Sequence, residues 1–120
     1  MPYALSADAT RVYYEVHGSG PAVVFVHGSG GHHAAWWQQV PALSAEYTVV
    51  TLDLRGFGSS DVRTDEDGSL DSAAFPDDIV AVLRDANVGP AVLVGQSIGA
   101  AAALKAALRE PSLTAGVVLG

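Results

Sequence analysis

A chain of 120 residues holds one domain at most, and 49% hydrophobic against 16% charged residues suits a packed core rather than disorder. Six lysines and arginines against thirteen aspartates and glutamates give a net charge of -7, which removes the cationic surface that nucleic acid or an anionic membrane needs. There is no cysteine, so neither a disulfide framework nor thiolate chemistry is open to it. The first fifteen residues carry no apolar signal core, and the apolar runs are too short to span a bilayer; together these point to the cytoplasm and to no membrane partner.

In chain order, Arg11-Val12-Tyr13-Tyr14-Glu15-Val16-His17 reads as a strand rich in β-branched and aromatic residues, with residues 3–6 as its hairpin partner. Gly18-Ser19-Gly20-Pro21 is a turn. Ala22-Val23-Val24-Phe25-Val26 is continuously apolar, as in a strand covered on both faces, and runs into the loop His27-Gly28-Ser29-Gly30-Gly31. A helix is predicted over residues 34–44, where Pro41 must start a new turn or kink it. Tyr47-Thr48-Val49-Val50-Thr51-Leu52 is the next buried strand, and a polar loop covers residues 53–68. Ile79, Val82, Leu83 and Ala86 share one face of the following helix. Then come the apolar run Ala91-Val92-Leu93-Val94, an alanine-rich helix to about residue 110 with Pro111 past its end, and a last strand at Val117-Val118-Leu119. Strands alternating with helices predict right-handed crossovers and a largely parallel α/β sheet of about six strands, with helices on both faces.

Between the Ala91 strand and the alanine-rich helix stands Gly95-Gln96-Ser97-Ile98-Gly99. A G-x-S-x-G at a strand-to-helix turn forces its serine onto a sharp corner with the hydroxyl clear of the sheet. Glycines are needed on both sides, because a side chain there would strike the neighbouring strand or helix. The Ile98 amide lies at the new helix's N-terminus, aimed at any oxyanion forming beside Ser97. In sheets of this kind, ligand sites form beyond the carboxyl ends of the strands, where three loops meet: the loop at residues 27–31, Asp53-Leu54-Arg55-Gly56-Phe57-Gly58-Ser59-Ser60-Asp61, and the Ser97 corner.

With these three loops in this order, the chain resembles the α/β-hydrolase superfamily. The resemblance covers residues 1–120 as one partial domain: the N-terminal part of the fold, an initial hairpin and strands three to six, with the C-terminal strands and the lid absent. It implies Ser97 as nucleophile, with the backbone amides of Ile98 and Ser29 as the oxyanion donors and His27, Gly28, Gly95 and Gly99 as supporting residues. A serine at this corner, where epoxide hydrolases and haloalkane dehalogenases carry aspartate, implies acyl transfer on a small ester-like substrate through an acyl-enzyme, with no cofactor. Ala100 stands where many relatives have a further glycine, which asks helix and strand to tolerate one more methyl group. Pro76, early in the second helix, is a departure expected to shorten its first turn.

The same resemblance places the triad acid and histidine beyond Gly120, so no residue here takes those roles, and the chain alone is expected to turn over negligibly. His17 ends the early strand, away from the corner. His27 reads as a structural hydrogen-bonding residue, and His32 and His33 as a solvated helix start at the mouth of the site. The His-His pair has no carboxylate at a helpful local spacing, so no metal is expected. Asp53 and Asp61 read as loop architecture, with Arg55 as the ion-pair partner of Asp53. Asp77-Asp78 reads as a charge pair suited to a helix N-terminus; Tyr13, Tyr14, Phe25 and at least one of Trp36 and Trp37 read as packing. Val117-Val118-Leu119 would be an exposed edge, prone to self-association. Two alternatives stand beside the serine hydrolase: a non-catalytic fragment or assembly module on half a hydrolase sheet, and a cofactor-free haloperoxidase-like enzyme.

Overall fold

The computed structural model describes residues 2–64 and 68–120. Six strands, β1 (Tyr3–Leu5), β2 (Arg11–His17), β3 (Ala22–Val26), β4 (Thr48–Leu52), β5 (Ala91–Gly95) and β6 (Thr114–Leu119), form one sheet in the order β1-β2-β4-β3-β5-β6. β1, β2 and β4 pair antiparallel, while β4, β3, β5 and β6 are parallel. β4 therefore lies on one side of β3 and β5 on the other. Right-handed crossovers then send the connections to opposite faces of the sheet.

Helices α2 (Phe75–Ala86) and α3 (Ile98–Arg109) cover one face, and the core lies beneath them. Ile79, Val82 and Leu83 of α2 and Ala102, Ala103 and Ala106 of α3 are buried against Val24, Val26, Val50, Leu52 and Leu93. Each large side chain so buried contributes about 1.5–3 kcal/mol. α2 carries Asp77 and Asp78 in its first turn, where they complement the helix dipole, and ends at Asn87 in the left-handed region (φ 51°). Pro76 also sits in the first turn, where a missing N–H costs nothing, so α2 runs its full twelve residues. Pro111 follows the end of α3 and opens a 3-10 turn, Pro111–Leu113.

The opposite face carries less. The single helix predicted over residues 34–44 is instead a 3-10 turn, His33–Trp36, followed by a short helix α1, Gln39–Leu43. Pro41 is the reason: it lacks an N–H and is tolerated only within a helix's first turn, so α1 starts just before it. Trp36 tilts onto Phe25 at 4.8 Å between ring centroids, while Trp37 is 70% exposed. β6 is the outer strand, with Val118 and Leu119 about half exposed. Among the described residues, no helix is long and apolar enough to cross a membrane.

Candidate active site

The corner after β5 is built by its backbone. Ser97 has φ 56° and ψ -120°, a region that a residue with a Cβ enters only under constraint, at a cost of about 1–3 kcal/mol. Hydrogen bonds impose it from all sides. The Gln96 N–H donates to Val26 O at 3.1 Å, the Gly99 N–H to Gln96 O at 2.9 Å, the Ala100 N–H to Ser97 O at 3.0 Å and the Ser97 N–H to Gly120 O at 3.0 Å. The two pentapeptide glycines let strand and helix approach. A Cβ on Gly95 would stand 2.5 Å from Gly99 O and 2.6 Å from Ala100 Cα, and one on Gly99 would collide with the carbonyls of Val26 and His27. The result is an exposed Ser97 at the head of α3, with the Ile98 N–H among the first-turn donors that have no partner inside the helix.

The loop after β3 lies against this corner. A Cβ on Gly28 would sit 3.3 Å from Ser97 Cβ and 3.2 Å from Gln96 O, so the two loops are in van der Waals contact. Residues 28–31 form a turn closed by the Gly31 N–H to Gly28 O at 3.1 Å, with Gly30 at φ 77°. That bond leaves the Ser29 N–H outside the turn's own pairing.

His27 is fully buried and joins two of the loops. Its Nε2 accepts the Leu54 N–H at 3.0 Å, so the ring proton is on Nδ1, which donates to Gly28 O at 2.8 Å. Burial pushes its pKa below the ordinary histidine value, against the raising effects of the Gly28 carbonyl and the Asp53 carboxylate. The other three histidines are also engaged away from Ser97. His17 meets Glu15, His33 lies between Glu15 and Asp53, and His32 Nδ1 accepts the Ala34 N–H at 3.3 Å.

Two expectations are corrected in the loop after β4. Asp53 does not pair with Arg55. It is fully buried, its Oδ1 accepting the His33 N–H at 2.6 Å and facing the His33 ring at 2.8 Å, its Oδ2 accepting the Ser59 N–H at 2.9 Å. Arg55 turns under α2 instead and meets Asp78, both side chains fully buried, at 2.7 Å; its fork also reaches Asp8 at 2.7 Å. Burial opposes the Arg55 charge, but the Asp78 and Asp8 carboxylates outweigh it and raise its pKa further. Asp78 is therefore more than a helix-dipole partner. Asp61 latches the loop to β2 by accepting the Arg11 N–H at 2.9 Å.

The expectation that the His32-His33 pair lacks a carboxylate also changes. One ligating atom each from His32, His33 and Asp53 lies within 4.8 Å of the others, Asp53 arriving from the end of β4. Glu15, unmarked in the sequence reading, faces the same cluster. The signal for it was present: Tyr13, Glu15 and His17 alternate along β2 and so share one face of the sheet.

The family model described as alpha/beta hydrolase fold matches residues 21–119. A pyrrolizixenacetamide deacetylase of Xenorhabdus hominickii is 36% identical over 110 residues, covering 91% of this chain and 40% of that protein. A pimeloyl-[acyl-carrier protein] methyl ester esterase of Methylococcus capsulatus is 36% identical over 108 residues, covering 90% of this chain and 39% of that protein. Among solved structures, an esterase from Exiguobacterium antarcticum superposes with a TM-score of 0.88 at 28% identity, over 98% of this chain and 44% of its own. The chain thus spans about 40% of the length of the curated relatives it matches.

Proposed function

The chain belongs to the alpha/beta hydrolase fold family, and from that premise we propose that it carries the nucleophile and oxyanion half of a serine-hydrolase site. The observation that carries this reading is Ser97, held at φ 56° on the strand-to-helix corner, with Gly28 packed against it. A hydroxyl so placed adds to an acyl carbon. The carbonyl oxygen takes up negative charge between the Ile98 and Ser29 amides, worth about 3 kcal/mol per donor in comparable sites. Collapse of that adduct expels the alcohol or amine with a proton and leaves an acyl ester on Ser97, which water then hydrolyses to the acid. Relatives named as a deacetylase and as a methyl ester esterase suggest a small acyl ester or amide as substrate.

Serine needs a base, and the four histidines of this chain are spent elsewhere: His27 on Leu54 and Gly28, the others on Glu15, Asp53 and Ala34. On this reading none of the four serves as the base for Ser97. A fluorophosphonate probe tests both parts. The full-length protein is expected to be labelled at Ser97, and S97A not at all. The 120-residue chain by itself is expected to react slower by roughly a million-fold, the loss seen when a serine enzyme is deprived of its base. Rapid labelling of the short chain would overturn the missing base, and an unlabelled full-length protein would overturn Ser97 as nucleophile.

A further inference from the structure

The Ser29 N–H hangs from a loop with glycine at Gly28, Gly30 and Gly31. Glycine leaves such backbone free to rotate, so a group outside the loop has to fix that donor. The Gly28–Ser29 peptide is trans, and its C=O and N–H therefore point in opposite directions within one plane. Whatever holds the Gly28 carbonyl thus sets the direction of the Ser29 N–H.

Two donors hold that carbonyl: the Gly31 N–H at 3.1 Å and His27 Nδ1 at 2.8 Å. The Gly31 bond closes a turn and moves with it. The His27 bond ties the peptide to the body of the protein. It exists because of a third group. The Leu54 N–H faces Nε2 at 3.0 Å, and a backbone N–H can only donate, so the ring proton is left on Nδ1. Leu54 is fully buried, and the next residue, Arg55, is anchored to Asp78 by its backbone N–H at 3.3 Å and by its buried guanidinium at 2.7 Å. Phe57 packs edge-on against the His27 ring, 5.2 Å between centroids. Burial, by lowering the His27 pKa, keeps the ring in the neutral form that this pairing requires. Gly28 in turn lies against the corner, where a Cβ on it would stand 3.3 Å from Ser97 Cβ. With the Gly28 carbonyl turned inward to a fully buried ring, the Ser29 N–H turns outward, the side on which Ser97 is exposed.

We infer that His27 is a positioning residue of the oxyanion site: its Nδ1–H, selected by the Leu54 amide, holds the Gly28–Ser29 peptide so that the Ser29 N–H faces the oxygen of the acyl adduct on Ser97. The role rests on Ser97 as nucleophile. His27 acts through a carbonyl, and its own proton is not transferred. A buried histidine that merely satisfied its two nitrogens would need both bonds alike, whereas the positioning role needs the one on Nδ1.

Asparagine and glutamine each keep one of the two bonds. The amide nitrogen of Asn falls where Nδ1 stood and still donates to Gly28 O. The longer Gln carries its amide out to the Nε2 position, where it accepts the Leu54 N–H and leaves Gly28 O to Gly31 alone. Hydrolysis of p-nitrophenyl acetate by the full-length protein is the test. H27Q is expected to lose about a hundredfold in kcat with KM nearly unchanged, the signature of a misplaced transition-state donor, while H27N stays within about tenfold of wild type. Urea midpoints are measured in parallel, and a kcat that falls in step with the midpoint marks a purely structural role and overturns the inference. On the unaltered protein, ¹⁵N histidine spectra should show His27, identified by the signals that H27N removes, protonated at Nδ1 and accepting at Nε2. Equal kcat in H27N and H27Q, a loss carried by KM, or a proton on Nε2 of His27 overturns the inference and leaves Ser97 in place. A wild-type protein that neither hydrolyses the ester nor takes up fluorophosphonate overturns the Ser97 reading and this role with it.

Discussion

Gly95→Ala is the sharpest perturbation of the Ser97 corner, because it adds one methyl group and nothing else. That methyl carbon would start 2.5 Å from Gly99 O, 2.6 Å from Ala100 Cα and 2.7 Å from Ala100 N, and all three atoms belong to helical backbone that cannot rotate aside. Relief to an ordinary carbon contact requires the first turn of α3 to retreat by about 1 Å, and overpacking of this kind costs roughly 1–3 kcal/mol. The retreat carries the Ile98 amide with it, and a misplacement of that size in a positioned catalytic group costs about a hundredfold in rate. The assay pairs urea unfolding with fluorophosphonate labelling of the full-length protein. The expected result is a loss of 1–3 kcal/mol, by the same overpacking range, together with labelling slowed about a hundredfold. Gly116→Ala in β6 is the control. Its Cβ meets only Val92 Cγ2, at 4.0 Å, so both readouts should stay near wild type, within about 0.5 kcal/mol. Wild-type labelling by G95A would refute the claim that the close strand-helix approach sets the oxyanion geometry.

Two further outcomes follow from the same corner and its neighbour. His27 is held neutral by burial, so its folded pKa lies below the ordinary 6.5 and the unfolded chain binds the extra proton first. Its contribution to stability is complete above about pH 6.5 and is lost as pH falls toward the folded value, with a slope of up to about 1.4 kcal/mol per pH unit; H27Q should flatten the urea midpoint between pH 6.5 and 5. Above about pH 5 the carboxylates do not contribute to that slope, and a midpoint as steep in H27Q as in wild type would refute the assignment. Glycine tolerates φ 56°, so S97G should unfold about 1 kcal/mol later than S97A even after glycine's greater freedom in the unfolded chain is counted, and equal stabilities would mean that the corner holds no strain.

Local features of the sequence carried most of the fold. The i, i+3, i+4 spacing of Ile79, Val82 and Leu83 marked the face of α2 that is buried, and the pentapeptide around Ser97 marked the corner whose backbone is strained. Both are short-range signals, in which the residues that cause the structure sit beside the residue that shows it. The helix expected over residues 34–44 failed at the same scale, because Pro41 decided where a helix could begin rather than merely bending one.

The ion pairs were illegible for a different reason. Arg55 stands two residues from Asp53, and proximity along the chain made them look like partners. Strand alternation would put positions i and i+2 on one face, but β4 ends at Leu52 and the chain turns at residues 55–56, so the two side chains leave in different directions. Asp53 turns toward the His33 turn, and Arg55 goes under α2 to Asp78, 23 positions away. The His32-His33 pair was set aside as a metal feature on the same local logic. Its carboxylates come from Glu15 and Asp53, on strands that become neighbours only because the chain inserts β4 between β2 and β3. No spacing rule encodes that insertion. What the sequence does hold is the alternation of Tyr13, Glu15 and His17, which puts one acid and one imidazole on a common face. The strand order then decides that this face meets His33 rather than solvent. A cluster assembled from three separate segments is visible once the sheet is closed, and the polar row along a single strand is the trace of it that can be read beforehand.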